Sequence, residues 1–290
     1  MARLHAALPV NAPGAFFVDD SCIDCDACRQ LAPATFARSS RHAQSYVAAQ
    51  PEGETATERA LMALVACPTA SIGTAPKRDA RMASTAFPVR IEDDVWYCGW
   101  HAAASYGAFS YLIVRPGGNV LVDSPRAAKP LMRRLEELGG VRWMFLTHKD
   151  DVADHEVFAR RFGCTRIMHA ADAGRLGVER RIDGSAPVRL DADLMVIPVP
   201  GHTRGSMALL YRDKFLFTGD HLWWDEDYGR LDAGREVCWY SFEEQVRSVE
   251  RLRAYEFEWV LPGHGRSWRA ASAGGMRGEI ERALTGLAEG

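Results

Sequence analysis

The segment Trp143-Met144-Phe145-Leu146-Thr147-His148-Lys149-Asp150-Asp151-Val152-Ala153-Asp154-His155 decides how this chain is read. Its apolar start predicts a buried strand over 143–146, and the periodicity after the polar run predicts a helix over 152–162. Between the two stand His148, Asp150, Asp151, Asp154 and His155, imidazoles and carboxylates of the kind that divalent cations take as ligands. Part of the run has a plainer reading. Asp151 is a natural N-cap, with Asp154 three residues on in a capping-box-like pair. His155 falls with Val152, Phe158 and Phe162 on the inward side of the helix, so it points to core or to metal.

Further along, the pattern of an apolar strand ending in a donor recurs. It is found in Met195-Val196-Ile197-Pro198-Val199-Pro200-Gly201-His202, in Phe215-Leu216-Phe217-Thr218-Gly219-Asp220 and in Trp259-Val260-Leu261-Pro262-Gly263-His264. One histidine at a strand end is more often structural. Four strand-end donors, three of them preceded by a glycine that lets backbone approach closely, point to a metal centre. The elements around them are strands over 95–100, 110–114, 120–122, 166–168 and 207–211 and helices over 128–138 and 243–253. In the first of these helices Leu131, Leu135 and Leu138 recur at helical spacing and Gly139-Gly140 ends it. His221, Trp223, Trp224, Tyr228, Trp239 and Tyr240 gather around Asp220 in sequence, as pocket lining or, more commonly for such segments, as packing; His101 is expected in a surface loop. No G-x-S-x-G, P-loop or G-x-G-x-x-G is found, so serine-hydrolase, nucleotide-hydrolase and dinucleotide readings lack support.

A second constellation lies near the start: Cys22-Ile23-Asp24-Cys25-Asp26-Ala27-Cys28, with Cys67-Pro68 far downstream. Three thiolates in one tight loop and a fourth on a distant turn suit a cubane iron-sulfur cluster, whose four iron corners each take one soft sulfur ligand. No second triplet exists, so Cys67 is expected to close the same cluster. Zinc sites more often present two separated pairs. Asp24 and Asp26, between the ligands, either tune the cluster or solvate the loop, and the second is the plainer reading.

The chain has 290 residues, 47% hydrophobic and 25% charged, an ordinary globular composition that allows two folding units. We place the units at 1–80 and 85–290. A formal charge of -3 gives no footprint for nucleic acid or an anionic membrane. With no signal-peptide pattern and no apolar run near the ~20 residues of a membrane span, the expectation is a cytoplasmic protein. Its seven cysteines then read as ligands or free thiols rather than disulfides.

The cysteine-bearing segments FVDDSCIDCDACRQLAPATF and VACPTASI resemble the single-cluster 4Fe-4S ferredoxins over the first quarter of the chain. That resemblance implies a small α+β domain carrying one 4Fe-4S cluster. The strand-end donors resemble the metallo-beta-lactamase superfamily, whose signature T-H-x-H-x-D-H precedes a G-H, a G-D and a G-H. Thr147-His148, Gly201-His202, Gly219-Asp220 and Gly263-His264 match it, and Val120-Leu121-Val122-Asp123 resembles the strand leading into the site. This implies an α/β fold, a four-layer αββα sandwich with one or two divalent metal ions, zinc or iron, on one edge and Asp220 bridging them. Asp150 stands where the family has its second histidine, and the Asp-His pair comes two residues late; an acidic ligand there resembles the flavodiiron branch. Aligned with a two-residue insertion, the resemblance gives one site from His148, Asp150 and His202 and another from Asp154, His155 and His264, with Asp151 as the alternative to Asp150. Asp154 is then the residue that binds or orients the attacking water. The implied function is a metal-dependent hydrolase of a small-molecule substrate. The alternatives are a di-iron redox enzyme fed with electrons by the cluster and a redox partner protein, and a non-catalytic redox sensor.

Overall fold

The computed structural model describes residues 1–39 and 41–289. The chain separates into two compact units, one of Met1–Asn119, Ser124–Val141 and Ala153–Phe158, the other of Val120–Asp123, Arg142–Val152 and Ala159–Gly290. No described helix is long and apolar enough to cross a membrane.

In the first unit, β1 (Phe16–Val18) pairs antiparallel with β4 (Ile72–Thr74), and β2 (Phe36–Ser39) with β3 (Gln44–Val47). Helices α1 (Ala27–Leu31) and α2 (Gly53–Ala66) pack on each other. Phe16, Val18, Phe36, Val47, Ala60, Ala63 and Ile72 form the apolar core, which also takes in Cys28 and Cys67. After α3 (Arg81–Thr85), the strands β5 (Val89–Glu92), β6 (Val95–Tyr97) and β7 (Tyr111–Ile113) form an antiparallel meander. The unit also holds α4 (Lys129–Glu137), which buries Leu131 and Leu135.

The second unit carries two larger groups of paired strands and a two-stranded hairpin. Strands β8 (Val120–Val122), β9 (Trp143–Phe145), β10 (Thr165–His169) and β11 (Arg180–Ile182) run parallel in the order β11-β10-β9-β8. Parallel neighbours need crossovers, and the chain supplies α4 between β8 and β9 and α5 (His155–Phe162) between β9 and β10. The other sheet has the order β12 (Val188–Asp191), β13 (Leu194–Pro198), β14 (Met207–Tyr211), β15 (Phe215–Gly219), β18 (Trp259–Pro262) and β19 (Trp268–Arg269). The hairpin β16 (Trp223–Asp225) and β17 (Arg230–Asp232) follows β15. Helices α7 (Phe242–Arg251) and α8 (Ala273–Glu289) share one core with this sheet, where Val249, Met276, Ile280 and Ala283 meet Leu210, Leu216 and Val260. A four-residue helix, α6 (Ala170–Ala173), follows β10.

Helix α5 begins at His155, three residues later than the periodicity predicts. Asp151 is therefore not an N-cap; it is buried, and neither of its carboxylate oxygens has a hydrogen-bond partner. The local capping preference has yielded to a tertiary demand. His101 is fully buried rather than on the surface, with Nδ1 donating to the Ala108 carbonyl at 2.8 Å and Nε2 paired with the Tyr97 hydroxyl.

Candidate metal centres

In the first unit Cys22, Cys25, Cys28 and Cys67 line one cavity with Val18, Ile23, Ser45, Thr69, Ser71 and Ile72. Helix α2 delivers Cys67 at its C-terminus, and the left-handed turns at Asp24 and Asp26 (φ 59° and 65°) wrap the other three sulfurs around it. Backbone amides aim at sulfur: Ser71 N–H donates to Cys67 Sγ and Ser45 N–H to Cys22 Sγ, each at 3.3 Å. Such bonds stabilise anionic sulfur, as a cluster requires. Burial pushes the Cys28 thiol up to about 12, so without a metal it stays protonated, and binding exchanges protons for iron. The two intervening aspartates are structural. Arg29 pairs with both, at 2.7 Å to Asp24, and Arg38 reaches Asp24 at 2.7 Å.

The second constellation is assembled in the other unit from strand ends. Asp123 follows β8, His148 follows β9, His202 follows β13, Asp220 follows β15 and His264 follows β18. Because β15 and β18 run parallel with Gly219 beside Pro262, Asp220 and His264 emerge together. His264 Nδ1 lies 2.8 and 2.9 Å from the two Asp220 oxygens. Glycine is required twice here. A Cβ on Gly263 would fall 2.6 Å from Asp151 Oδ2 and 2.8 Å from Asp220 Oδ1; one on Gly219, at φ +53°, would fall 2.4 Å from Thr147 Oγ1.

His148 Nε2 is 3.6 Å from Asp220 Oδ2 and 4.0 Å from both Asp150 and Asp151, while His202 Nε2 is 3.6 Å from Asp150 and 3.8 Å from Asp220. Two overlapping donor groups result, His148 with Asp150 and His202, and His148 with Asp151 and Asp220. Both neighbouring aspartates thus face the histidines, Asp150 from a 45% exposed position and Asp151 from a buried one. Asp154 and His155 are placed in the first unit, where Asp154 Oδ2 accepts the Ala127 N–H at 2.8 Å and His155 is buried in the first turn of α5.

The imidazoles are held from behind. His148 Nδ1 donates to Thr147 Oγ1 at 2.9 Å, whose hydroxyl donates to Asp123 at 3.0 Å, and Asp123 also accepts the Thr147 N–H at 2.8 Å. His202 Nδ1 donates to the Val237 carbonyl at 2.6 Å. Both rings therefore turn Nε2 forward. The Nε2 atoms of His148 and His202 and both Asp151 oxygens are buried without a hydrogen-bond partner. Each such group costs about 1–3 kcal/mol when unsatisfied, and a cation resolves all of them together. The residues fit a metal ion. Burial alone disfavours charged imidazoles, but Asp151 and Asp220 outweigh it at His148 and Asp220 outweighs it at His264, raising them to about 10 and about 9. Burial and the Asp220 charge push Asp151 up to about 6.

One functional residue carries no sequence signal. Asp172, buried in α6, accepts the N–H of Lys149 at 3.1 Å, the N–H of Gly205 at 2.8 Å and the Thr203 hydroxyl. It ties the turn after His148 to the turn after His202. Nothing in the sequence around it marks it, because its partners are distant backbone amides. Asp172→Ala is expected to weaken metal binding roughly 10- to 100-fold while the folded far-ultraviolet spectrum persists; competition with a chromophoric chelator measures this, and unchanged affinity would show the two turns hold themselves.

An α/β fold of this kind with imidazoles and carboxylates at strand ends defines a metallo-hydrolase-type scaffold, and residues 94–277 match the model of the metallo-beta-lactamase superfamily. The chain belongs to that superfamily. Residues 18–74 match the model of the 4Fe-4S single cluster domain of ferredoxin I. Among curated proteins, the chain is similar to a hydroxyacylglutathione hydrolase of Anaeromyxobacter dehalogenans, 37% identical over 40% of this chain and 46% of the relative. It is also similar to one of Methylococcus capsulatus, 32% identical over 52% and 59% respectively. The chain thus spans about half the length of the curated relatives it matches. Among solved structures, VMB-1 superposes with a TM-score of 0.52 at 14% identity, covering 67% of this chain and 95% of that one. The fold is the αββα sandwich that the motifs imply.

Proposed function

We propose that the strand-end centre is the active site of a metal-dependent hydrolase acting on a small thioester or ester, and that the four cysteines hold a 4Fe-4S cluster. The observation that carries the first part is the set of four unpartnered buried donor atoms on His148, His202 and Asp151, gathered around Asp220. Thioester is favoured over other esters because the curated relatives are named hydroxyacylglutathione hydrolases. His148, Asp150 and His202 would hold one divalent ion and Asp151 and His264 a second, with Asp220, within 4 Å of all three histidines, common to both. An ion bound there supplies Lewis acidity and lowers the pKa of water toward about 7. The chain does the rest. Asp123 and Thr147 fix the face of His148, Val237 fixes that of His202, and Asp172 keeps the two turns in register. Asp151, whose oxygens have no other partner, takes the water-orienting role that the resemblance assigns to Asp154, because Asp154 already accepts the Ala127 amide.

Metal-loaded protein is expected to hydrolyse S-acyl thioesters with loss of activity on chelation; no turnover on a broad thioester and ester panel would reject the reading. Metal binding should also release protons. His148 and His264 are raised above neutrality in the metal-free protein, so a metal displaces a proton from each at pH 7, and affinity climbs with pH until about 9–10. Each displaced proton contributes roughly tenfold per pH unit. Calorimetry in buffers of different ionisation enthalpy measures the number released; none released at pH 7 would contradict the charge state.

A second reading, a di-iron redox enzyme, is favoured by one observation: Asp150, a hard oxygen donor, lies 3.6 Å from His202 in the place the family gives to histidine. It requires two irons in the centre and a reaction with a small oxidant that depends on cluster reduction. Zinc content with activity indifferent to cluster reduction would reject it.

A further inference from the structure

Beside His202 the second unit exposes more aromatic surface than folding explains. Trp239 is 64% exposed, Tyr240 50% and Val237 40%. Large apolar side chains clustered at a surface mark a binding site more often than chance. The segment is nonetheless fixed in place. Trp239 N–H and Tyr240 N–H both donate to the His202 carbonyl, at 2.9 and 3.1 Å, and Ser241 N–H donates to that of Gly201 at 3.1 Å. Cys238 Sγ also reaches the Gly201 carbonyl at 3.1 Å. The Trp239 ring consequently stands 6.2 Å from the His202 imidazole, tilted by 58°.

Trp223 extends this surface to the other side of the centre. Its indole lies against Gly265, the neighbour of His264, where an added Cβ would fall 2.4 Å from Trp223 Cδ1. The far edge of the same ring approaches Gly234, at 2.7 Å from an added Cβ there, with Val237 Cγ2 at 3.3 Å. Trp223 therefore runs from the His264 turn to the foot of the Trp239 segment. Two other aromatics of this stretch are accounted for by packing: Trp224 stacks on Trp268 at 3.5 Å and 7° against the core, and Phe242 packs against that core under Arg235.

We propose that Trp223, Val237, Trp239 and Tyr240 form a rim that binds the apolar group of the substrate, an aryl or alkyl chain attached to the thioester or ester whose carbonyl lies at the His/Asp centre. The proposal rests on the hydrolase reading and adds the substrate class. The chemistry is apolar contact against rigid indole and phenol faces, which bind with little loss of conformational freedom. A merely structural loop would show no dependence on chain length.

The test uses metal-loaded full-length protein and two substrate series, one varying the acyl chain on a fixed thiol and one varying the thiol on a fixed acetyl group. With Trp239→Ala of equal metal content, the loss in kcat/KM is expected to grow along one series, reaching roughly tenfold at the longest chain through KM. The series that responds identifies whether the acyl or the thiol side meets the rim. Equal slopes for both proteins in both series would overturn the proposal. If no substrate is turned over, the hydrolase reading fails, and the rim is judged by octanoate and benzoate quenching of tryptophan fluorescence. Quenching lost in Trp239→Phe supports it, and quenching absent or unaltered overturns it.

Discussion

Replacing Asp220 by alanine is expected to abolish metal binding at the strand-end centre and with it any hydrolytic turnover, by at least three orders of magnitude, while the protein stays folded. Asp220 lies within 4 Å of three imidazoles: His148 at 3.6 Å, His202 at 3.8 Å and His264 at 2.8 Å. Burial works against its charge, yet His264 and His148 beside it outweigh that and hold it well below the usual carboxylate range. Removing it leaves those imidazoles without their shared anion. Asp150 and Asp151 both come from the turn of His148 itself, and Asp150 is half exposed, so neither replaces the anion that Asp220 supplies from the end of β15. Inductively coupled plasma analysis with a thioester assay reads both effects. Retention of a stoichiometric metal would show that the outer group of His148, Asp150 and His202 suffices.

The second large effect is expected from Cys67→Ser, which should remove the visible absorption of the cluster entirely and make the N-terminal segment protease-sensitive. Cys67 is the single ligand from α2, and it packs in the same apolar core as Phe16, Phe36 and Val47. Cys22 and Cys25 come from the loop before α1 and Cys28 from the first turn of α1, so Cys67 is the link by which a cluster ties that short stretch to α2. Loss of it deprives a small core of its central ligand set, and small cores depend heavily on such cross-links. The loss should stay largely local to the first unit, although α2 also meets residues outside the cysteine-rich segment: Ala66 accepts the His101 N–H at 3.1 Å and Val65 accepts from Arg126 at 3.0 Å. Limited proteolysis with absorption spectroscopy distinguishes this from a silent substitution, in which both signals would persist.

What could be read from sequence follows from where the physics is local. A metal centre built on strand ends places its donors after apolar runs and glycines, so His148, His202, Asp220 and His264 stand out one by one. Asp151 was obscured because a good N-cap and a buried anion have the same residue type; only the late start of α5 and the histidines around it separate the two. Asp172 was invisible, since its three partners come from turns 23 to 33 residues away. Helix α8 gives little signal in sequence because Gly274, Gly275, Gly278 and Gly286 depress its intrinsic propensity; Met276, Ile280 and Ala283, packed against the sheet, stabilise it instead. The hairpin of β16 and β17 carries no strand signal of its own, since its tryptophans read in sequence as pocket lining or, more commonly, as packing. The structure divides them, with Trp224 turned to the core and Trp223 lying along the turn of His264.

The central claim, two metal centres of different chemistry in one chain, is tested most directly by counting iron, acid-labile sulfide and zinc in anaerobically purified protein, together with its Asp220→Ala and Cys67→Ser forms. The account predicts about four iron and four sulfide that vanish only in Cys67→Ser, matching a single 4Fe-4S domain, and one or two further metal ions that vanish only in Asp220→Ala. Metal lost from both pools in either variant, or no metal beyond the sulfide-linked iron, would contradict it.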